Sequence, residues 1–144
     1  MAAATTTAFE FPIRIYWEDT DAGGIVYNAN YLKFFERART EWLRSLGINQ
    51  GALRAARGGI FVVSSASLRF LRPARLDDEL IATAALEKAG SAMLQISQQV
   101  LRRQGADLQA RQVCCEGSVR VAWVSASSFK PARIPVDIVQ RLSP

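Results

Sequence analysis

Ile13-Arg-Ile-Tyr-Trp-Glu-Asp-Thr-Asp-Ala-Gly-Gly-Ile-Val-Tyr-Asn-Ala-Asn-Tyr31 decides how this chain folds. An apolar alternation ends abruptly in acids and two glycines, and an amphipathic helical pattern starts at about Asn30. From Asn30 to Leu46, Tyr31, Phe34, Phe35, Ala38, Trp42 and Leu46 recur at helical spacing, and Gly47 is a natural stop. The stripe is bulky and aromatic, fit to be wrapped by a sheet. Glu36 falls on another face of the helix and is expected to pair with Arg37 or Arg39.

Working outward, Phe9 to Trp17 reads as a first strand, and Gln50 to Arg57 could add a helical turn before Gly58-Gly59. After it come four strand patterns joined by short turns: Ile60–Leu71, Glu79–Lys88, Met93–Arg102 and Gln109–Val124. Alternation is clear at Leu94 and Ile96, and at Val119, Val121 and Trp123. One long helix followed by consecutive strands implies an α+β fold, an antiparallel sheet of about five strands packed on that helix. Residues 9–144 are expected to form one domain behind a loosely ordered tail over residues 1–8, which lacks the basic and apolar regions of a signal peptide. No apolar run approaches the length of about 20 residues needed to span a bilayer, so the cytoplasm is the expected location.

Composition narrows the chemistry. The chain has no histidine, which removes every Ser-His and Cys-His nucleophile and, with only two cysteines, a Cys/His zinc site. Cys114 and Cys115 are neighbours in a strand pattern, so they point to opposite faces and a mutual disulfide is not expected. Net charge is +5, carried mostly by arginine, which suits phosphate recognition. The basic residues are scattered, with no aromatic-rich basic tract, so nucleic acid is not the expected partner. Three acids in four positions, Glu18, Asp19 and Asp21, do not make a calcium loop, because Asn30 stands where a bidentate glutamate is needed. What remains is a carboxylate on a Gly-rich turn feeding a helix N-terminus, where unpaired N–H groups await an oxyanion. A carboxylate beside an oxyanion hole is the minimal kit for hydrolysing an acyl compound.

Glu18-Asp-Thr-Asp-Ala-Gly-Gly-Ile-Val-Tyr27, Asn30-Tyr31 and Phe35-Glu-Arg-Ala-Arg-Thr-Glu41 resemble the N-terminal signature of the hotdog-fold acyl-CoA thioesterases of the 4-hydroxybenzoyl-CoA thioesterase type. Pro73-Ala-Arg-Leu-Asp-Asp78 and Lys130-Pro-Ala-Arg-Ile-Pro135 look like the middle and C-terminal landmarks of the same family, and the branch associated with the bacterial Tol-Pal envelope system is the most similar. The resemblance implies hydrolysis of acyl-CoA or acyl-carrier-protein thioesters, with no metal or redox cofactor and with coenzyme A entering only as part of the substrate. It makes Asp21 the catalytic carboxylate, as general base or nucleophile, with Gly23 and Gly24 permitting close approach of the thioester. It puts the oxyanion donor at the Asn28 main chain, where the most similar branch usually has a histidine. Tyr27 and Tyr31 are expected to line the acyl pocket, and Lys88, Lys130 and Arg133 to meet the CoA phosphates. Glu18 and Asp19 are read as structural or solvent-facing. A single hotdog leaves a sheet edge exposed, so a homodimer or homotetramer with shared sites is implied. The rival reading is a non-catalytic acyl-CoA or carrier-protein binding module serving phospholipid-synthesis or envelope partners.

Overall fold

The aromatic stripe forms α1, Asn30–Ser45, and its buried face is Tyr31, Phe34, Phe35, Ala38 and Trp42, as the spacing predicts. The computed structural model describes residues 8–143, so nearly all of the expected tail lies outside the described residues. Around α1 curl β1 (Phe9–Arg14), β2 (Gly59–Phe70), β3 (Glu79–Ala89), β4 (Met93–Gln104) and β5 (Asp107–Ser125). They make one antiparallel sheet in the order β1-β3-β4-β5-β2, the expected α+β hotdog arrangement. Core-facing positions alternate as read from the sequence: Leu94, Ile96, Val119, Val121 and Trp123 are all buried. Between α1 and β2, Gln50–Arg57 forms α2, capped by the Asn49 side chain, which accepts from the Ala52 N–H at 2.9 Å.

At four points the structure departs from the sequence reading or adds to it. β1 stops at Arg14 instead of reaching Trp17, because Trp17–Asp19 winds into a 3-10 turn. Ile15 still exchanges backbone hydrogen bonds with Asp77 and Asp78, so the pairing extends one step past the strand before the chain turns. Second, a C-terminal helix, α3 (Val136–Leu142), buries Ile138 and Leu142 against the core; at seven residues it is too short for periodicity to reveal. Third, β4 and β5 pair Val100 with Cys115 but Leu101 with Val113, so Cys114 is the extra residue of a β-bulge. Both cysteines end up buried, as free thiols. Fourth, among the described residues Glu36 makes no ion pair within 4 Å: Arg37 lies over the Phe34 ring, and Arg39 donates to Gln98 instead.

At Gly117 the sheet leaves no room for a side chain beneath α1. A Cβ there would stand 2.5 Å from the Ser67 carbonyl oxygen and 3.1 Å from the Phe35 ring. Gly117→Ala therefore has to push β2 or α1 aside, and a loss of about 1–3 kcal/mol is expected for such overpacking. Urea denaturation measures it; unchanged stability would mean that the strand relaxes freely at this point.

Candidate active site

The site is built on the loop between β1 and α1, and Asp19 is its clasp. This buried carboxylate accepts from the Tyr16 N–H at 2.9 Å through Oδ2 and from the Asn30 side-chain amide at 3.0 Å through Oδ1. It thereby ties the end of the strand to the start of the helix, which is a structural role. Glu18 is exposed. Beyond the clasp, Thr20 bridges Val26, and the Tyr27 N–H donates to the Asp19 carbonyl at 2.9 Å. The Val26 N–H donates to the Ala74 carbonyl at 2.9 Å, so the segment after Pro73 props the loop from below.

Asp21 stands at the exposed tip. Its N–H donates to the Ile25 carbonyl and its carbonyl accepts from the Gly24 N–H, both at 3.0 Å. Oδ1 accepts from the Gly23 N–H at 2.8 Å, while Oδ2 of this exposed residue has no partner among the described residues. The glycines are needed here. Gly24 has φ +78°, a left-handed conformation, and a Cβ on Gly23 would press to 3.2 Å against Asp21 Oδ1.

The helix start leaves donors unspent. No side chain caps α1. The N–H groups of Asn30, Tyr31 and Leu32 turn back to the carbonyls of Tyr27, Asn28 and Ala29. The preceding two N–H groups, of Asn28 and Ala29, have no acceptor among the described residues. Two consecutive amides at the positive end of a 16-residue helix can hold a developing oxyanion. Asn28 borders a cleft of about 320 Å³, with Ile25 and Tyr31 beside it on one wall and Phe70, Leu71 and Pro73 on the other. Tyr31 is buried and packs on Phe34 and Phe70. Burial pushes its phenol up to about 12, partly offset by the Ala74 backbone, so it stays a neutral wall. Tyr27 is not among the residues lining the cleft, and it is 50% exposed.

The basic residues lie elsewhere in the chain. Lys88 is at the far end of β3, and the β3–β4 turn meets the C-terminal segment where the Ile134 N–H donates to the Ser91 carbonyl. Lys88, Lys130 and Arg133, all exposed, therefore share one end of the sheet. The Asp21 loop is at the other end, beside the start of β3, whose 11 residues span about 35 Å. Within one copy the structure does not bring the two groups together. Sequence reasoning also missed the contact of Arg39 with Gln98, whose only mark was a polar residue on an otherwise apolar row of a strand.

Known proteins share this architecture and sequence. A probable thioesterase from Bartonella henselae superposes with a TM-score of 0.81 at 31% identity, over 90% of this chain and all of that one. A 4-hydroxybenzoyl CoA thioesterase mutant, solved in complex with 4-hydroxybenzoyl CoA, gives 0.87 at 17% identity over 94% and 99% of the two chains, a likeness of fold alone. The acyl-CoA thioester hydrolase YbgC of Escherichia coli is 40% identical over 134 residues, 93% of this chain and 95% of that protein. The acyl-CoA thioesterase YbgC of Haemophilus influenzae is 37% identical over 130 residues, 90% of each. The sequence model of the thioesterase-like superfamily matches residues 15–142, and it is to this family that the chain belongs.

Proposed function

We propose that the protein hydrolyses acyl-CoA thioesters at the β1–α1 loop, with Asp21 and the Asn28 main chain as the reacting apparatus. The observation that carries this reading is the pair of amides at Asn28 and Ala29 without acceptors among the described residues, on the same loop as a carboxylate whose second oxygen has no partner among them. The thioester carbonyl oxygen would sit on those amides, which gain most when it becomes an oxyanion. Asp21 either takes the proton of the attacking water or attacks itself, forming an anhydride that water opens. The thiol leaves and the free acid remains. In a single turnover in ¹⁸O-water, label in the Asp21 carboxylate establishes the nucleophilic route, with water opening the anhydride at the Asp21 carbonyl. Thiol release from short, long and aromatic acyl-CoAs tests the reading itself, with acyl carrier protein as an alternative thiol carrier. No release from any of them would leave the binding-module reading in its place.

The proposal includes a homodimer with composite sites. The β1 edge is short and carries Pro12, which discourages further pairing. The β2 edge runs 12 residues without proline or lysine, and Val63 and Phe70 on it are more than half exposed. Two β2 edges paired about a two-fold axis would run antiparallel. The Phe70 end, next to Tyr31, would then meet the partner's Gly59 end, where the chain approaches Lys130. Such pairing closes the gap between the Asp21 loop and the basic cluster, and two dimers could associate further. The test is complementation. Asp21→Asn chains mixed with chains lacking Lys88, Lys130 and Arg133 are expected to regain up to a quarter of the native activity, since one of two sites is intact in half the dimers. No recovery in verified mixed dimers would place each site in a single chain.

A further inference from the structure

The core-facing row of β4 reads Leu94, Ile96, Gln98, Val100, and only one of these is polar. Gln98 is 1% exposed. Its Nε2 donates to the carbonyls of Phe35, at 3.0 Å, and Thr83, at 2.9 Å. Carbonyls only accept, so the amide can face one way alone, and Oε1 is left to receive Arg39 Nη1 at 3.0 Å. Among the described residues that is the only hydrogen bond of a guanidinium with five donors, and no carboxylate lies within 4 Å of it. Its other nitrogens are not sealed in protein, because Arg103 Nε is the one buried side-chain polar atom without a partner among the described residues. They face a cavity of about 350 Å³ walled by Phe61, Val63, Leu94, Ile96 and Val121. Glu36, exposed, borders the same cavity. Burial works against the Arg39 charge and Glu36 supports it.

The unspent donors of this cation open on a cavity lined by apolar side chains together with Glu36, Thr40 and Gln50, where a ligand oxygen can accept them. The cavity lies along the same α1–β2 margin as the Asn28 cleft. Helical side chains lean toward the N-terminus, and Gln98 holds the Arg39 head at the level of Phe35, about 10 Å along the helix from Asn28. We infer that, given the thioesterase reading above, this cavity takes the far end of the acyl group, and that Arg39, oriented by Gln98, selects acyl groups ending in an uncharged oxygen acceptor such as a hydroxyl or keto group. An anionic end is disfavoured because Glu36 shares the space.

The test compares octanoyl-CoA, its ω-hydroxy counterpart and its ω-carboxy counterpart by kcat/KM. The hydroxy substrate is expected to lead each of the others by at least about 10-fold, the range of a charge-assisted hydrogen bond. In Arg39→Met that preference over octanoyl-CoA should fall to near unity while octanoyl turnover persists. A merely structural Arg39 would slow all three alike. Equal rates in the native protein, a lead for the carboxy substrate, or a preference that survives Arg39→Met would overturn the inference. If Arg39→Met does not fold, Arg39→Lys, which loses the planar fork, is read in the same way. Failure to hydrolyse any acyl-CoA would instead overturn the thioesterase reading, whereas failure on these three with turnover of others overturns the inference alone.

Discussion

Asp21→Asn is expected to lower turnover at least about 100-fold, the size of losing a positioned base or nucleophile. The amide can keep the turn, since its oxygen can still accept from the Gly23 N–H as Asp21 Oδ1 does. It can neither take a proton from water nor attack a thioester. Fold and assembly should survive, so circular dichroism and sedimentation ought to match the parent protein. Asp19→Asn is the control two residues away. That carboxylate is buried and already spends an oxygen on each of the Tyr16 N–H and the Asn30 side chain. Its loss should appear chiefly in stability, by about 1–3 kcal/mol, as expected for hydrogen bonds to a charged group. Near-normal turnover of Asp21→Asn would sink the assignment. Equal catalytic losses at both positions would point to a shared-carboxylate site.

Asn28→Pro should abolish activity where Asn28→Ala retains most of it. Alanine keeps the main-chain N–H that has no acceptor among the described residues, and proline removes it. Loss of one oxyanion donor costs about 100- to 1000-fold in kcat. Proline also constrains the residue before it, so the melting temperature of each variant must be read beside its rate. Asn28→His, which restores the side chain usual in the most similar branch, is expected to add an inflection near pH 6–7 to the rate profile. If Asn28→Ala proves as inactive as Asp21→Asn in a folded protein, the side chain itself is catalytic and the oxyanion site has been misplaced.

The elements were legible because their signals are local. The period of 3.6 at Tyr31, Phe34, Phe35, Ala38 and Trp42 puts one face of α1 in the core, whatever packs on it. The strand bounds fell within a few residues of those observed, except where β1 meets the Asp19 clasp, whose bonds a strand pattern does not announce. The Gly23-Gly24 turn and the helix start were readable too, since only particular residues permit them. The placing of Tyr27 is not legible in the same way, because whether a loop side chain faces a cleft depends on the wall opposite. Here that wall is Phe70 to Pro73, far along the chain.

By itself the sequence determined the class of fold, the order of its elements and the loop that carries the carboxylate, since periodicity and turn chemistry act over a few residues. The tertiary structure alone decided which distant residues meet. Arg39 and Gln98 are 59 positions apart, and their contact follows from how β4 lies under α1. The bulge at Cys114 follows from the register of β4 on β5. The separation of Lys88, Lys130 and Arg133 from Asp21 follows from the direction of β3. Register and strand direction emerge only when the whole apolar surface is buried at once, and no short window of sequence contains that condition.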